Sequence, residues 1–431
     1  MKVEIPIHRK VLTIDFPETA TVFTTSYPEP LKGPAEMILE SLNHPVNSLP
    51  LKDKLNEAKP ESVVIVVSDI TRPIPYGDFL PAVLGEVVQS DISAEKIFIL
   101  IATGMHRPSS QAERLHMFGV EICEKYRIID HKAEAPVELI TLSGTSYSGR
   151  PVQLNRHFME ADFRIITGLV EPHFMAGFSG GRKAVCPGLC SLDTVKNFHS
   201  YSFLDHPAAR NGNLEDNPLH AEALSIARKA DVGFCINLIV NNQKKIVQAV
   251  SGDPEASHEE ACNLVRRHAC PAKRNEADVV ITSCGGYPLD ATFYQCVKGM
   301  IAALPLVKQN GIILATGGCS EGIGSREYKN ILFQYTDRWE KFSRDFEGRQ
   351  DTLKDQWEFQ MQTKVLKHIG QDNLIFATDG LGEGDLKRIS VNGMHIQTER
   401  MEEELQKLVN DYAAQGKSIA VIPEGPYCTP L

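Results

Sequence analysis

The chain has 431 residues, of which 42% are hydrophobic and 23% charged, and a formal net charge of −10 at pH 7. That length exceeds what one hydrophobic core usually fills, so two domains are expected, and the ordinary composition excludes a disordered or fibrous chain. The acidic balance, with no Lys/Arg-rich run, excludes non-specific nucleic-acid binding; a small anion would need a local basic pocket.

The start, Met1-Lys2-Val3-Glu4-Ile5-Pro6, lacks the apolar stretch of a signal peptide. No apolar run approaches the roughly 18 to 20 residues of a membrane span, so a cytoplasmic protein with no membrane or nucleic-acid partner is expected. The ten cysteines include no Cys-x-x-Cys pair. They read as reduced thiols, with Cys186 and Cys190 too isolated for a zinc site.

Short runs of β-branched and aliphatic residues recur at 63–67, 97–101, 165–166, 279–281, 312–314, 374–376 and 419–422. Continuous apolar runs of this length suit strands buried on both faces. Helical patterns lie between them: Leu219, Ala223, Ile226, Ala227 and Ala230 follow Asn217 as cap and Pro218 at the first helical position. Asp253 and Pro254 open another in the same way. Residues 234–249, with Asn241-Asn242 in the middle, read as a hairpin or mixed-sheet edge, because Asn tolerates the positive φ of a tight turn. The alternation predicts an α/β protein of two α/β domains, with mostly parallel or mixed sheets and a cleft between them. The polar stretch at Cys270-Pro271-Ala272-Lys273 places the boundary near residue 270, giving an N-terminal domain 1–270 and a C-terminal domain 271–431. The charged region 326–368, with Trp339 and Trp357, reads as surface helices covering the second domain; Trp357 could pack over a ligand or belong to the core, and core is the commoner use of a large ring.

Reactive side chains follow three of the predicted strands, where open α/β sheets place their ligands. The first leads into Ser68-Asp69-Ile70-Thr71-Arg72-Pro73, the second into Thr103-Gly104-Met105-His106-Arg107-Pro108, the third through Gly168-Leu169-Val170 into Glu171-Pro172-His173. An arginine and two histidines thereby reach one sheet edge. A lone histidine near a turn is more often structural, and His116, His131, His206 and His220 are expected to be surface or helix residues. Next comes Ala176-Gly177-Phe178-Ser179-Gly180-Gly181-Arg182-Lys183, whose glycines, hydroxyl and cations could cradle a phosphate or simply form a structural turn. It has neither Walker A nor dinucleotide-fold spacing. His199 falls in a predicted helix over 192–201.

These motifs, with Tyr294-Gln295-Cys296-Val297-Lys298-Gly299, resemble the nickel-dependent lactate racemase family over nearly the whole chain. The resemblance implies that Lys183 carries, through a thioamide, a pyridinium-3,5-bisthiocarboxylate mononucleotide whose sulfurs and ring carbon hold nickel. It implies His199 as the remaining nickel ligand, and Asp69, Thr71, Ser179, Gly180, Gly181 and Arg182 around the nucleotide's ribose and phosphate. His106 and His173 would be the acid/base pair, and Arg72, Tyr294, Gln295 and Lys298 would orient the substrate. It further implies cofactor-synthesis enzymes as partners and a last strand that crosses back to the first domain. The substrate would be a small 2-hydroxy acid: lactate, malate, an aryl lactate or a sugar acid.

The chemistry agrees with that assignment. The α-proton of a hydroxy acid is weakly acidic, so inversion at C2 favours hydride removal with a base on the hydroxyl, through a planar 2-keto acid. Two enantiomers present two hydroxyl directions and require two bases. Histidine suits that role near neutrality, and an arginine fork with a lysine matches a carboxylate. A non-catalytic phosphate- or nucleotide-binding protein is the alternative. A hydrolase is disfavoured because no Gly-x-Ser-x-Gly elbow is present.

Overall fold

Two six-stranded sheets organise the chain. The computed structural model describes every residue except Leu31 and Pro73, so Pro73 of the first motif lies outside the described residues. In the first sheet the strand order is Ile246–Gly252, Phe234–Val240, Phe163–Leu169, Val63–Ser68, Ile97–Ala102, Arg127–Asp130. All neighbours are parallel except the first pair. The central strand Val-Val-Ile-Val-Val is fully buried on both faces, as its unbroken apolar run requires.

The outer antiparallel pair is the predicted hairpin at a mixed-sheet edge, but the positive φ falls on Lys244 rather than on the Asn pair. Asn241 instead accepts hydrogen bonds from the amides of Gln243 and Lys245 through Oδ1 and pins the turn from its side chain. Helix Pro218–Lys229 begins as read, with Asn217 Oδ1 capping the amides of Leu219 and His220.

The second sheet runs Asn392–His395, Leu374–Thr378, Val307–Thr316, Ala277–Ser283, Ile419–Ile422, Thr21–Val22, all parallel. Its last strand comes from the chain's beginning. The hairpin Lys2–Ile7 and Lys10–Asp15 also packs Ile5, Ile7 and Ile14 against Val279, Ile281 and Met401 of this unit. The N-terminal segment therefore belongs spatially with the second sheet, although sequence order groups it with the first. Strand Ile419–Ile422 stays in the second sheet as well. Only the residues after it reach the first unit, where Thr429 N–H donates to Ala269 O at 2.8 Å.

The charged region divides unevenly. Helices Arg326–Gln334 and Trp339–Phe346 keep an exposed face, whereas the first eight residues of helix Gln356–Ile369, from Gln356 to Thr363, are all buried. One continuous apolar cluster joins Phe174, Cys186 and Phe198 of the first unit to Phe293, Trp357 and Phe359 of the second. Burying each such aromatic is worth about 1.5–3 kcal/mol, so the two units hold a common wall. Among the described residues no helix is long and apolar enough to cross a membrane, and all ten cysteines are free thiols.

Candidate active site

The first sheet reverses its strand order between Val63–Ser68 and Phe163–Leu169: the chain adds strands on one side, then returns to add the rest on the other. Such a switch point opens a crevice beyond the carboxyl ends of the strands. Arg72 leaves one of these strands, His173 leaves the other, and His106 leaves the neighbouring Ile97–Ala102. A cavity of about 750 Å³ lies there, closed on its far side by residues of the second unit. That volume is ample for a cofactor together with a small acid.

Most of the predicted site residues line this cavity: Asp69, Thr71, Arg72, His106, His173, Ser179, Gly180, Lys183, His199, Tyr294, Gln295 and Lys298. Gly181 and Arg182 do not. Arg182 is 2% exposed and turns away from the cavity; one guanidinium nitrogen meets His258 Nε2 at 2.8 Å and the other donates to Ala176 O at 2.8 Å. Gly181 N–H donates to Asn237 Oδ1, and a Cβ there would stand 2.5 Å from the His258 ring. Both residues brace the loop from behind and do not face a phosphate.

The loop owes its shape to hydrogen bonds that the sequence does not display. Ser179 Oγ donates to Leu169 O at 2.7 Å and accepts from Glu171 N–H, so the hydroxyl expected beside a phosphate is committed to the loop itself. Gly180, at φ +74°, has Val170 Cγ2 within 2.6 Å of where a Cβ would stand, which makes glycine obligatory. The chain then tightens into the short 3₁₀ turn Gly181–Ala184, which presents Lys183.

Asp69 and Thr71, expected near a ribose, also have partners in the protein. Asp69 Oδ2 accepts from His106 Nδ1–H at 2.6 Å, and its Oδ1 accepts from the amide and the hydroxyl of Thr71. Burial pushes the Asp69 carboxyl up, but its hydrogen bonds with His106 and Thr71 and the charge of Arg72 hold it below the ordinary carboxylate range. The carboxylate orients the imidazole and leaves His106 Nε2 with its lone pair. His173 is held the other way. Its Nδ1 accepts from the amides of Met175 and Ala176, both at 3.2 Å, which leaves the proton on Nε2. The two histidines thus present unlike faces, one an acceptor and one a donor.

His199 closes helix Leu192–Phe198 as its C-cap, just beyond the helix. Its Nδ1 lies 2.9 Å from Val195 O, an atom that can only accept, so Nδ1 carries the proton and Nε2 is free. Trp357 stacks on this ring at 4.5 Å and 23°, and its Nε1–H donates to Tyr294 Oη at 2.7 Å. Trp357 was expected in the core; it is 2% exposed and also forms part of the cavity wall. Burial, then the Lys183 charge, lowers the His199 pKa to about 3, keeping the ring neutral.

Lys183 is pushed well below the ordinary ammonium range, first by burial and then by Arg182 and Arg72, against a smaller opposing effect of Cys186. Burial thus favours the neutral amine, the form that can be acylated. Among the described residues no three His, Cys, Asp or Glu side chains converge as a metal site, so a metal bound through His199 must take its other donors from a non-protein group. A free imidazole nitrogen in the same cavity as a buried lysine fits a metal carried by a lysine-linked group.

Arg72 and Lys298 supply the positive charge. Arg72 has Glu171 Oε1 at 3.9 Å, and Lys298 makes no hydrogen bond to any described residue. Sequence reasoning missed the acidic side of the cavity: Glu171, Asp355 and Glu358 line this pocket or the small one behind Arg72. His131 also departs from expectation. It is 1% exposed and lies in neither helix nor surface loop; its Nε2–H donates to Cys190 O and its Nδ1 accepts from Asn155. His116 and His206 are exposed as expected, and His220 sits half-buried in its helix.

Two family models match the chain: the lactate racemase N-terminal domain over residues 7–212 and the lactate racemase C-terminal domain over 272–427. The chain is 35% identical over 399 residues to a lactate racemase of Thermoanaerobacterium thermosaccharolyticum, covering 90% of this chain and 89% of that one. It is 34% identical over 394 residues to a lactate racemase of Lactiplantibacillus plantarum, with the same coverage. The solved lactate racemase apoprotein from T. thermosaccharolyticum superimposes with a TM-score of 0.90 at 31% identity, covering 99% of each chain. A Thermotoga maritima protein at 18% identity, covering 94% of this chain and 99% of its own, shares the fold with a TM-score of 0.67.

Proposed function

This chain belongs to the lactate racemase family, and from that premise we propose that it inverts C2 of a small 2-hydroxy acid, using a nickel pincer nucleotide carried on Lys183. The observation that supports this most is a single cavity holding two histidines, two carboxylate-matching cations and a buried lysine whose ammonium form burial disfavours. When bound, the cofactor supplies a hydride acceptor beside the substrate carbon.

The protein's own part follows from its geometry. Arg72 offers a planar fork and Lys298 a second charge, so the acid's carboxylate is held from two sides and C2 keeps a constant position whichever enantiomer enters. His106, its Nδ1–H fixed on Asp69, takes the hydroxyl proton of one enantiomer at Nε2. His173 serves the other hand, donating from Nε2 while the two amides hold its Nδ1 and accepting there only after Nδ1 releases them. The planar 2-keto acid between them can be returned to either hand. Trp357 fixes the face of His199, and Lys183 with His199 would anchor the nucleotide and its nickel. The phosphate-binding alternative loses two of its donors, since Ser179 and Arg182 are both bonded within the protein.

Isotope tracing tests the reading. Protein loaded by the cofactor-synthesis enzymes is given C2-deuterated lactate, malate, phenyllactate or gluconate in ordinary water, and the hands are separated by chiral chromatography. Inverted product that keeps its deuterium is expected. Inversion with loss of deuterium to water would mean a carbanion route, and no inversion of any acid would overturn the proposal.

A further inference from the structure

His173 opens a very small hairpin. Strands Pro172–His173 and Gly177–Phe178 pair through His173 and Gly177, so Phe174, Met175 and Ala176 make the whole turn. Inside the turn the amides of Met175 and Ala176 both donate to His173 Nδ1. Outside it the carbonyls of the same two residues are taken by side chains from elsewhere: Asn217 Nδ2 donates to Met175 O at 2.9 Å, and Arg182 Nη2 to Ala176 O at 2.8 Å. Met175, Ala176, Asn217 and Arg182 are each at most 2% exposed, so these bonds are shielded from solvent. The orientation of Asn217 is fixed by its other end, where Oδ1 accepts from the amides of Leu219 and His220 at the head of helix Pro218–Lys229. Arg182 Nη1 lies 2.8 Å from His258 Nε2, which is also 2.9 Å from Ser179 O and can serve only one of these neighbours at a time; the bond to Ala176 O stands with either choice.

A peptide unit is a rigid plane with its C=O and N–H pointing in opposite directions. The plane between Met175 and Ala176 has its oxygen on Asn217 and its N–H on His173, so Asn217 aims that amide directly. Arg182 holds the oxygen of the next plane, and Ala176 is pinned on both sides. A ring nitrogen that accepts from two N–H groups cannot carry a proton of its own. We propose that Asn217 and Arg182 are positioning residues for the reaction: through the carbonyls of Met175 and Ala176 they hold two amides on His173 Nδ1 and so keep the ring's proton on Nε2, the nitrogen left for the substrate. The inference rests on the reading of His173 as an acid/base group. It adds that Nδ1 cannot shed the Ala176 amide, as that reading requires when His173 accepts a proton, unless Met175 O also leaves Asn217.

Asn217→Asp isolates this lever, because its carboxylate can still accept from Leu219 and His220 but has no N–H for Met175 O. The full-length, cofactor-loaded protein is labelled with nitrogen-15 histidine, and the His173 signals are identified in NMR spectra by their loss in His173→Gln. Wild type should show a bare Nδ1 and a protonated Nε2 on His173, and Asn217→Asp should admit the Nδ1–H tautomer. For whichever of lactate, malate, phenyllactate and gluconate is inverted, kcat should fall about 10–100-fold in Asn217→Asp with KM and nickel content unchanged, and the same change should cost nothing further in a His173→Gln background. Arg182→Lys, which keeps the charge beside Lys183 but has one nitrogen where two are used, should show the same non-additivity. A protonated Nδ1 in wild type, an unaltered tautomer and kcat in Asn217→Asp, or a kcat loss of equal factor with and without His173 would overturn the proposal. Racemisation by His173→Gln as fast as by wild type would be a separate failure, that of the acid/base reading, and would take this proposal with it.

Discussion

The two walls of the cavity are built in different ways. The first-sheet wall comes from strand exits, where short motifs turn directly from buried β-structure into the site, so Arg72, His106 and His173 are separated by long stretches of chain yet converge at one switch point. The second wall comes from two packed helices, and what it presents, Tyr294, Lys298, Trp357 and Glu358, depends on which helix faces are buried. The first wall carries groups with hydrogen bonds already made, as between Asp69 and His106. The second carries groups with bonds still to make, as at Lys298 and the orphaned oxygens of Glu358 and Gln295. A preorganised wall suits proton transfer, and an unsatisfied one suits holding a ligand.

Substitutions can break or sharpen that contrast. His106→Ala should lower kcat by about 10²–10⁴-fold, the usual range for an acid/base group, with nickel content unchanged by elemental analysis. Arg72→Ala removes a charge-assisted contact worth about 1.5–3 kcal/mol and should appear mainly in KM in steady-state kinetics. Asp69→Asn should cost about 10–100-fold in kcat, the ordinary cost of a lost orienting partner, without loss of cofactor. If cofactor loading falls instead, Asp69 serves the ribose, and the first wall is less committed than it looks. Trp357→Ala removes a stack worth about 0.5–1.5 kcal/mol and should loosen nickel on dialysis, whereas Trp357→Phe should keep most of it.

A smaller effect concerns stability. Burial drives the pKa of His131 from 6.5 to about 4. A folded-state pKa below the unfolded one gives stability that is complete above about 6.5 and is lost as pH falls toward 4. Thermal melts across that window should fall less steeply in His131→Gln than in wild type.

The sheets were legible because every predicted apolar run lies in a strand, buried throughout except at the half-buried Phe98, Ile312 and Ile375. The first wall was legible because its residues follow strand ends in sequence. The turn of Arg182 away from the cavity and the bonding of the Ser179 hydroxyl within its own loop were not legible, because a glycine-rich loop with hydroxyl and cation looks alike whether it faces a ligand or its own strand; only the contacts to His258 and Leu169 distinguish the two. Glu358 was invisible because nothing local distinguishes a carboxyl in a charged stretch from a solvated one. The signal that could have raised it was its place beside Trp357, in a helix whose exposed face fails to appear over 356–363. The return of residues 21–22 to the second sheet is a long-range pairing with no local mark.

The central claim is that Lys183 carries the reaction's cofactor, and intact-protein mass spectrometry with nickel analysis on protein co-expressed with the cofactor-synthesis enzymes tests it directly. The account predicts a nickel-bearing covalent adduct on wild type that is absent from Lys183→Ala. An unmodified wild-type chain, under conditions that load a known family member, would contradict it.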